Sequence, residues 1–160
     1  MSDTNTYKVG DKLVNFGQVH TVFQIKEEIL YYKPHFEDES SGGLTCSIPV
    51  SKLIESDIRP PLSKKDCKEM CKMIVEEIRI KEYMDANDMS ILYNTNTPEN
   101  LIKVLRLLVQ ESKDKENGLS TSKKSIFDKA LSSFVQEYAY ANESSIQEAE
   151  TLLNKMLKLH

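Results

Sequence analysis

Cys67 and Cys71 stand four residues apart, one helical turn, a spacing that puts two thiols on one face where they could share a metal ion. No further Cys or His stands close enough in sequence to complete a four-ligand site, so the pair reads as buried, neutral thiols. Cys46 is alone. The histidines, His20, His35 and His160, are isolated from one another, and none sits in a pattern that names a base for a nucleophile. The carboxylate pairs Glu27-Glu28, Glu76-Glu77 and Asp85 with Asp88 fall where solvated faces are expected, and read as surface charge. No glycine-rich phosphate loop is present. These residues point away from an enzyme and from any metal or cofactor, and toward a binding module.

The elements that must position such a module follow from length and texture. The chain has 160 residues and a formal net charge of -4, enough for one globular domain or two small ones. Residues 1–60 hold six basic and nine acidic side chains, and residues 61–160 hold fifteen and sixteen. Neither part is a nucleic-acid domain by bulk charge, so DNA contact would need a local patch. No apolar run approaches the roughly 20 residues needed to span a bilayer. Met1 to Thr6 carry neither a basic n-region nor an apolar stretch, so the expectation is a soluble, cytoplasmic monomer without a secretory signal. Tryptophan is absent altogether.

From Tyr7 to Pro49 the apolar residues come in short runs separated by Gly10-Asp11, Gly17 and Gly42-Gly43, the pattern of a small antiparallel barrel or sheet with a polar hairpin tip at 37–43. Arg59-Pro60-Pro61 ends the strand pattern and sets a boundary between residues 1–60 and 61–160. Beyond it the period turns helical. Ser63 can cap a first helix carrying Cys67, Met70, Met73 and Ile74, and a second stretch runs from about Ile78 to Tyr93. Thr97-Pro98-Glu99 supplies a cap, a proline at the first helical position and an acid in the first turn, followed by the stripe Leu101, Val104, Leu105 and Leu108. Ser120 opens a fourth helix with Phe127, Leu131, Phe134 and Tyr138 on one face, and a last helix runs from about Ser145 to Leu159. The fold class is α+β: a small β-barrel followed by about five helices.

Two groups of residues carry a family resemblance. The run Tyr7-Lys8-Val9-Gly10-Asp11-Lys12-Leu13-Val14, then Gly17, Leu44 to Val50, and Asp57-Ile58-Arg59 resembles the RNA-polymerase-interacting domain of the CarD/CdnL transcription regulators, which transcription-repair coupling factors share. Gly118-Leu119-Ser120, Lys124, Ala130, Glu137 and Ala139 are similar in spacing to that family's helical motif, and Ala149-Glu150-Thr151 with Leu153 to its tail. The likeness runs from Tyr7 to Leu157.

The resemblance implies a Tudor- or SH3-like barrel that docks by strand addition on the RNA polymerase β subunit. It implies a helical domain that touches promoter DNA at the upstream edge of the melted bubble and stabilises the open complex, through phosphate contacts and a wedged Trp. The docking candidates are Glu27, Cys46, Ser47 and Ile48, with Glu27 and Ser47 standing where the family has basic positions. Near the family's Trp this chain has Glu82-Tyr83, which makes Tyr83 the candidate wedge, and Met84-Asp85 replaces two arginines. Arg79, Lys81, Lys123 and Lys124 are the candidate phosphate contacts. Lys123 also takes the place of the Glu that would complete a capping box with Ser120. The expected function is transcription regulation at the promoter; the alternative is a polymerase-docked adaptor whose helical domain has lost DNA binding and recruits a protein.

Overall fold

The computed structural model describes residues 7–36 and 44–157. The expected hairpin tip at 37–43, the first six residues and His160 lie outside the described residues. Four antiparallel strands, β1 (Lys12–Asn15), β2 (Gln18–Lys26), β3 (Ile29–Pro34) and β4 (Cys46–Pro49), form a curled half-barrel sheet in the order β1-β2-β3-β4. Phe16 and Gly17 both have positive φ, 52° and 72°, as a two-residue turn between right-twisted strands requires. Glu27 and Glu28 make the same kind of turn between β2 and β3, with φ of 53° and 63°. A bulge between Val22 and Gln24 tightens the curl of β2.

Alternation decides what each strand buries. Leu13, Val22, Leu30, Tyr32 and Leu53 form the sheet's own core, closed at one end by His20, whose ring stands edge-on to Tyr32. Val14 and Val19, directly opposite each other, are also buried although they do not belong to that core. The β1–β2 hairpin therefore buries both faces, one inside the sheet and one toward the helices. An isolated bridge between Val14 and Arg59 brings the chain back along β1 before it enters the helices.

The five helices are α1 (Lys64–Val75), α2 (Ala86–Asn94), α3 (Pro98–Asp114), α4 (Thr121–Ala141) and α5 (Ile146–Met156). Ser63, Asp85, Thr97, Ser120 and Ser145 cap them, each accepting from a backbone N–H three residues on. Ser145 and Glu148 complete a reciprocal capping box. Ser120 keeps its cap without the reciprocal acid, as expected with Lys123 at that position. On α3 the stripe Leu101, Val104, Leu105 and Leu108 is buried against Met70, Ile74, Ala130, Phe134 and Leu153, and each fully buried Leu or Phe contributes about 1.5–3 kcal/mol. Cys67 and Cys71 lie in this same core; burial pushes their thiols up to about 12 and about 11, so both stay protonated and unreactive. No helix among the described residues is long and apolar enough to cross a membrane.

One expected element is different. The stretch from Ile78 to Asp85 is not helical: α1 stops at Val75 and α2 begins only at Ala86. Asp85 sits in extended backbone so that its carboxylate can accept from Asp88 N–H, and Ile78 N–H is taken by the side chain of Gln110. Both preferences compete with helix. Ile78 and Ile80 are half-buried and alternate with exposed Arg79 and Lys81, the period of an extended chain. One smaller difference concerns exposure: Met73, expected among the apolar residues of the first helix, faces solvent on α1.

Candidate functional surfaces

The edge of the sheet is the first surface. β4 pairs only with β3 among the described residues, which leaves its other side open. Val50 N–H donates to Glu28 C=O at 2.9 Å and fixes the phase of the ladder. Cys46 and Ile48 therefore turn their backbone groups toward β3, and Ser47 and Pro49 turn theirs outward. Proline is tolerated at such an outward position because the N–H it lacks is not used in the ladder. Cys46 and Ile48 are half-buried with side chains against the sheet core, whereas the Ser47 side chain is exposed opposite Tyr31. Tyr31 leans on Phe23, its ring centroid 6.3 Å away, and the Lys33 ammonium lies 5.6 Å from the Phe23 ring. An aromatic, cationic patch thus flanks the open edge. Glu27 projects from the exposed β2–β3 turn at one end of it.

The second feature joins sheet to helices. Glu137 on α4 is 1% exposed and receives both terminal nitrogens of Arg59, each at 2.7 Å. It also accepts from Leu62 N–H at 3.0 Å. Arg59 Nε donates to Asn96 C=O, and the Asn96 amide donates to Val14 C=O, back on β1, and to Asp57 C=O. Beside this network the β1–β2 turn lies against α2 and α4. A Cβ on Gly17 would fall 2.6 Å from Ser133 Oγ and 2.8 Å from Tyr93 Oη, so only glycine fits there. Val19 N–H completes the seam with a bond to Gln136.

The third cluster centres on Glu111 of α3, also 1% exposed. Lys123 reaches it at 2.9 Å from α4 and Lys115 at 2.8 Å from the next turn. Burial pushes the Glu111 carboxyl upward, but hydrogen bonds from Lys115 and Lys123 outweigh this and hold it below its ordinary value. Tyr83 covers the pair, with Lys115 Nζ 4.5 Å and Lys123 Nζ 5.9 Å from its ring centre, and its hydroxyl donates to Asp114 at 3.2 Å.

The sequence-derived residues separate on these surfaces. Arg79 and Lys81 lie exposed on the extended strap between α1 and α2, and Lys124 is exposed in the first turn of α4. Lys123, in contrast, is buried, and its ammonium is engaged by Glu111. Tyr83 is pinned by Asp114. Met84 packs on the helical core and Asp85 caps α2, so the two positions where the resemblance expects arginines serve the fold instead. Spacing alone did not disclose the Arg59–Glu137 and Glu111–Lys123 pairs. The described residues contain no group of three or more His, Cys, Asp or Glu placed to hold a metal ion.

A family model for the CarD C-terminal domain matches residues 75–154. The chain belongs to the CarD family. It is thereby a CarD-like protein of an RNA polymerase-associated, non-enzymatic class of transcription regulators. No curated protein matches the chain. The matched span runs from the end of α1 almost to the end of α5, and the CarD-like motif inside it turns out to be mostly structural. Gly118 has a φ of 72° before the Ser120 cap, Ala130 and Ala139 are fully buried, and Glu137 holds Arg59. Lys124 is the exposed charge of the set.

Proposed function

We propose that this CarD-family chain regulates transcription by docking its open β4 edge on the RNA polymerase β subunit, while its helices modulate the promoter open complex. The observation that carries the docking half is the unpaired side of β4, with Ser47 facing outward beside Phe23, Tyr31 and Lys33. A partner strand would pair with Ser47, and the side chains of Cys46 and Ile48 would keep β4 in register against the core. For DNA, the exposed cations Arg79, Lys81 and Lys124 are the proposed phosphate contacts, with Tyr83 the proposed wedge. Lys123 is left out of the contact set because its charge is neutralised inside the fold.

The engagement of Tyr83 and Lys123 by the Glu111 cluster favours a second reading, in which the chain remains a docked adaptor and the helices recruit a protein. Open-complex lifetime on a matched bacterial polymerase separates the two. Regulation through DNA predicts a longer or shorter lifetime with the full chain, a loss of that effect in Tyr83→Ala, and DNA affinity that falls steeply with salt. An unchanged lifetime with normal polymerase binding assigns the adaptor role. Docking is tested by Ser47→Pro, which removes an outward N–H while sparing the β3–β4 ladder. Polymerase co-purification should fall while the circular dichroism of the sheet is kept; undiminished co-purification rejects the edge as the dock.

A further inference from the structure

We propose that the groove between α1 and the ends of α4 and α5 is a docking site for an acidic, amphipathic protein segment, independent of the β4 edge and of any DNA contact. The groove is a depression of about 650 Å³ lined by Lys64, Lys65, Lys68, Cys71, Tyr138, Asn142 and Met156. Its floor is apolar: the Cys71 thiol, the Tyr138 ring and Met156, which is 40% exposed at the end of α5. Asn142, the polar side chain that shares this floor, already donates its amide to Tyr138 C=O at 2.9 Å.

The rim is cationic. At 3.6 residues per turn, Lys64, Lys65, Lys68 and Lys72 fall within an arc of about 100° on α1, and Asp66 and Glu69 fall outside it. All four lysines are exposed, and none is in an ion pair among the described residues. In a chain of net charge -4 such a stripe is a local inversion of sign. Leu152, one turn before Met156 and 43% exposed, extends the apolar strip along α5.

A ligand fitting this surface needs negative charge at its edge and an apolar side chain at its centre. A nucleic-acid backbone satisfies the rim but leaves the floor without a partner. An amphipathic helix with an apolar stripe flanked by Glu or Asp satisfies both, its anchors at i and i+4 matching the Leu152–Met156 spacing.

The probe is a fluorescein-labelled helical peptide with Leu at i and i+4 flanked by Glu, titrated against the full chain by anisotropy, with amide shifts mapped by NMR. A peptide of the same composition with the Leu residues on opposite faces, and a short DNA duplex, are the comparison ligands. The patterned peptide should bind more tightly than its rearranged form and shift amides of α1, the end of α4 and α5. Lys65→Glu/Lys68→Glu and Met156→Glu, all at exposed positions, should each weaken it about tenfold. Equal binding of both peptides, no binding at millimolar concentration, or indifference to Met156→Glu in a folded variant would overturn the proposal. So would duplex binding that alone responds to the lysine reversals, which would mark the stripe as a nucleic-acid contact.

Discussion

Glu137 and Glu111 are equally buried carboxylates on neighbouring helices, yet they do different work. Glu137 faces a planar guanidinium that meets it with two parallel bonds and reaches it from outside the helices, 78 residues earlier in the chain. Glu111 faces two ammonium groups, both from the helices themselves. A fork of fixed geometry sets an orientation; point charges on flexible stems neutralise without orienting. The first pair therefore fixes how the sheet sits on α4, and the second only closes the helical layer under Tyr83. If the sheet docks and the helices act at the promoter, the Arg59–Glu137 joint transmits position from one to the other.

The largest expected effect comes from breaking the joint. Glu137→Ala strands the Arg59 guanidinium and Leu62 N–H and should cost about 3–5 kcal/mol in urea unfolding. Arg59→Lys keeps the charge but not the fork; small-angle scattering and residual dipolar couplings should then report a changed or broadened sheet–helix orientation. An orientation as sharp as in the native chain would remove the distinction drawn between the two pairs.

Glu111→Ala should cost less, about 1–3 kcal/mol, because Lys115 is partly exposed and, unlike Glu137, the Glu111 carboxylate accepts no backbone N–H among the described residues. The native orientation of the sheet should survive it. A loss as large as that of Glu137→Ala would mean that both pairs are structural equivalents. Next is Gly17→Ala, which combines a left-handed backbone with a collision at Ser133; the backbone part alone predicts a loss of about 1–2 kcal/mol, read as a lowered melting temperature.

The smallest effect is that of pH. Burial lowers the His20 pKa below its ordinary 6.5, so the folded state binds fewer protons than the unfolded one as pH falls through that value. Stability from His20 is complete above pH 6.5 and declines below it, until the folded ring protonates. Glu111 adds a second decline, complete above its ordinary 4.5 and lost as pH falls through its lowered folded value. Urea midpoints measured from pH 7 to pH 3 should show both stages, and Glu111→Gln should reduce the lower one.

Local chemistry was the legible part of this sequence. The caps at Ser63, Thr97 and Ser120 and the α3 stripe depend on residues a few positions apart, and the structure has them where the spacing puts them. Ile78 to Asp85 departs from the helix expected there, and the alternation of Ile78 and Ile80 with Arg79 and Lys81 is the sequence signal for its extended backbone. The joint was illegible for another reason. Arg59 and Glu137 are an ordinary surface cation and anion until the Val14–Arg59 bridge and the α4 register bring them together. Likewise nothing in Lys123 itself separates it from Lys124; only the fold buries one and exposes the other.

The phase of β4 also limits what the open edge can accept. An incoming strand finds the N–H of Ser47 but no donor at Pro49, so the pairing is short and its hydrogen bonds few. A second copy meeting the chain edge to edge would gain little, and a growing fibre less still. Selectivity must then come from what lies beside the ladder. If the edge docks a partner, a ligand that also covers Phe23 and Tyr31 would be retained and one that offers backbone alone would be shed, the behaviour of a latch for one kind of visitor rather than a template for any extended chain.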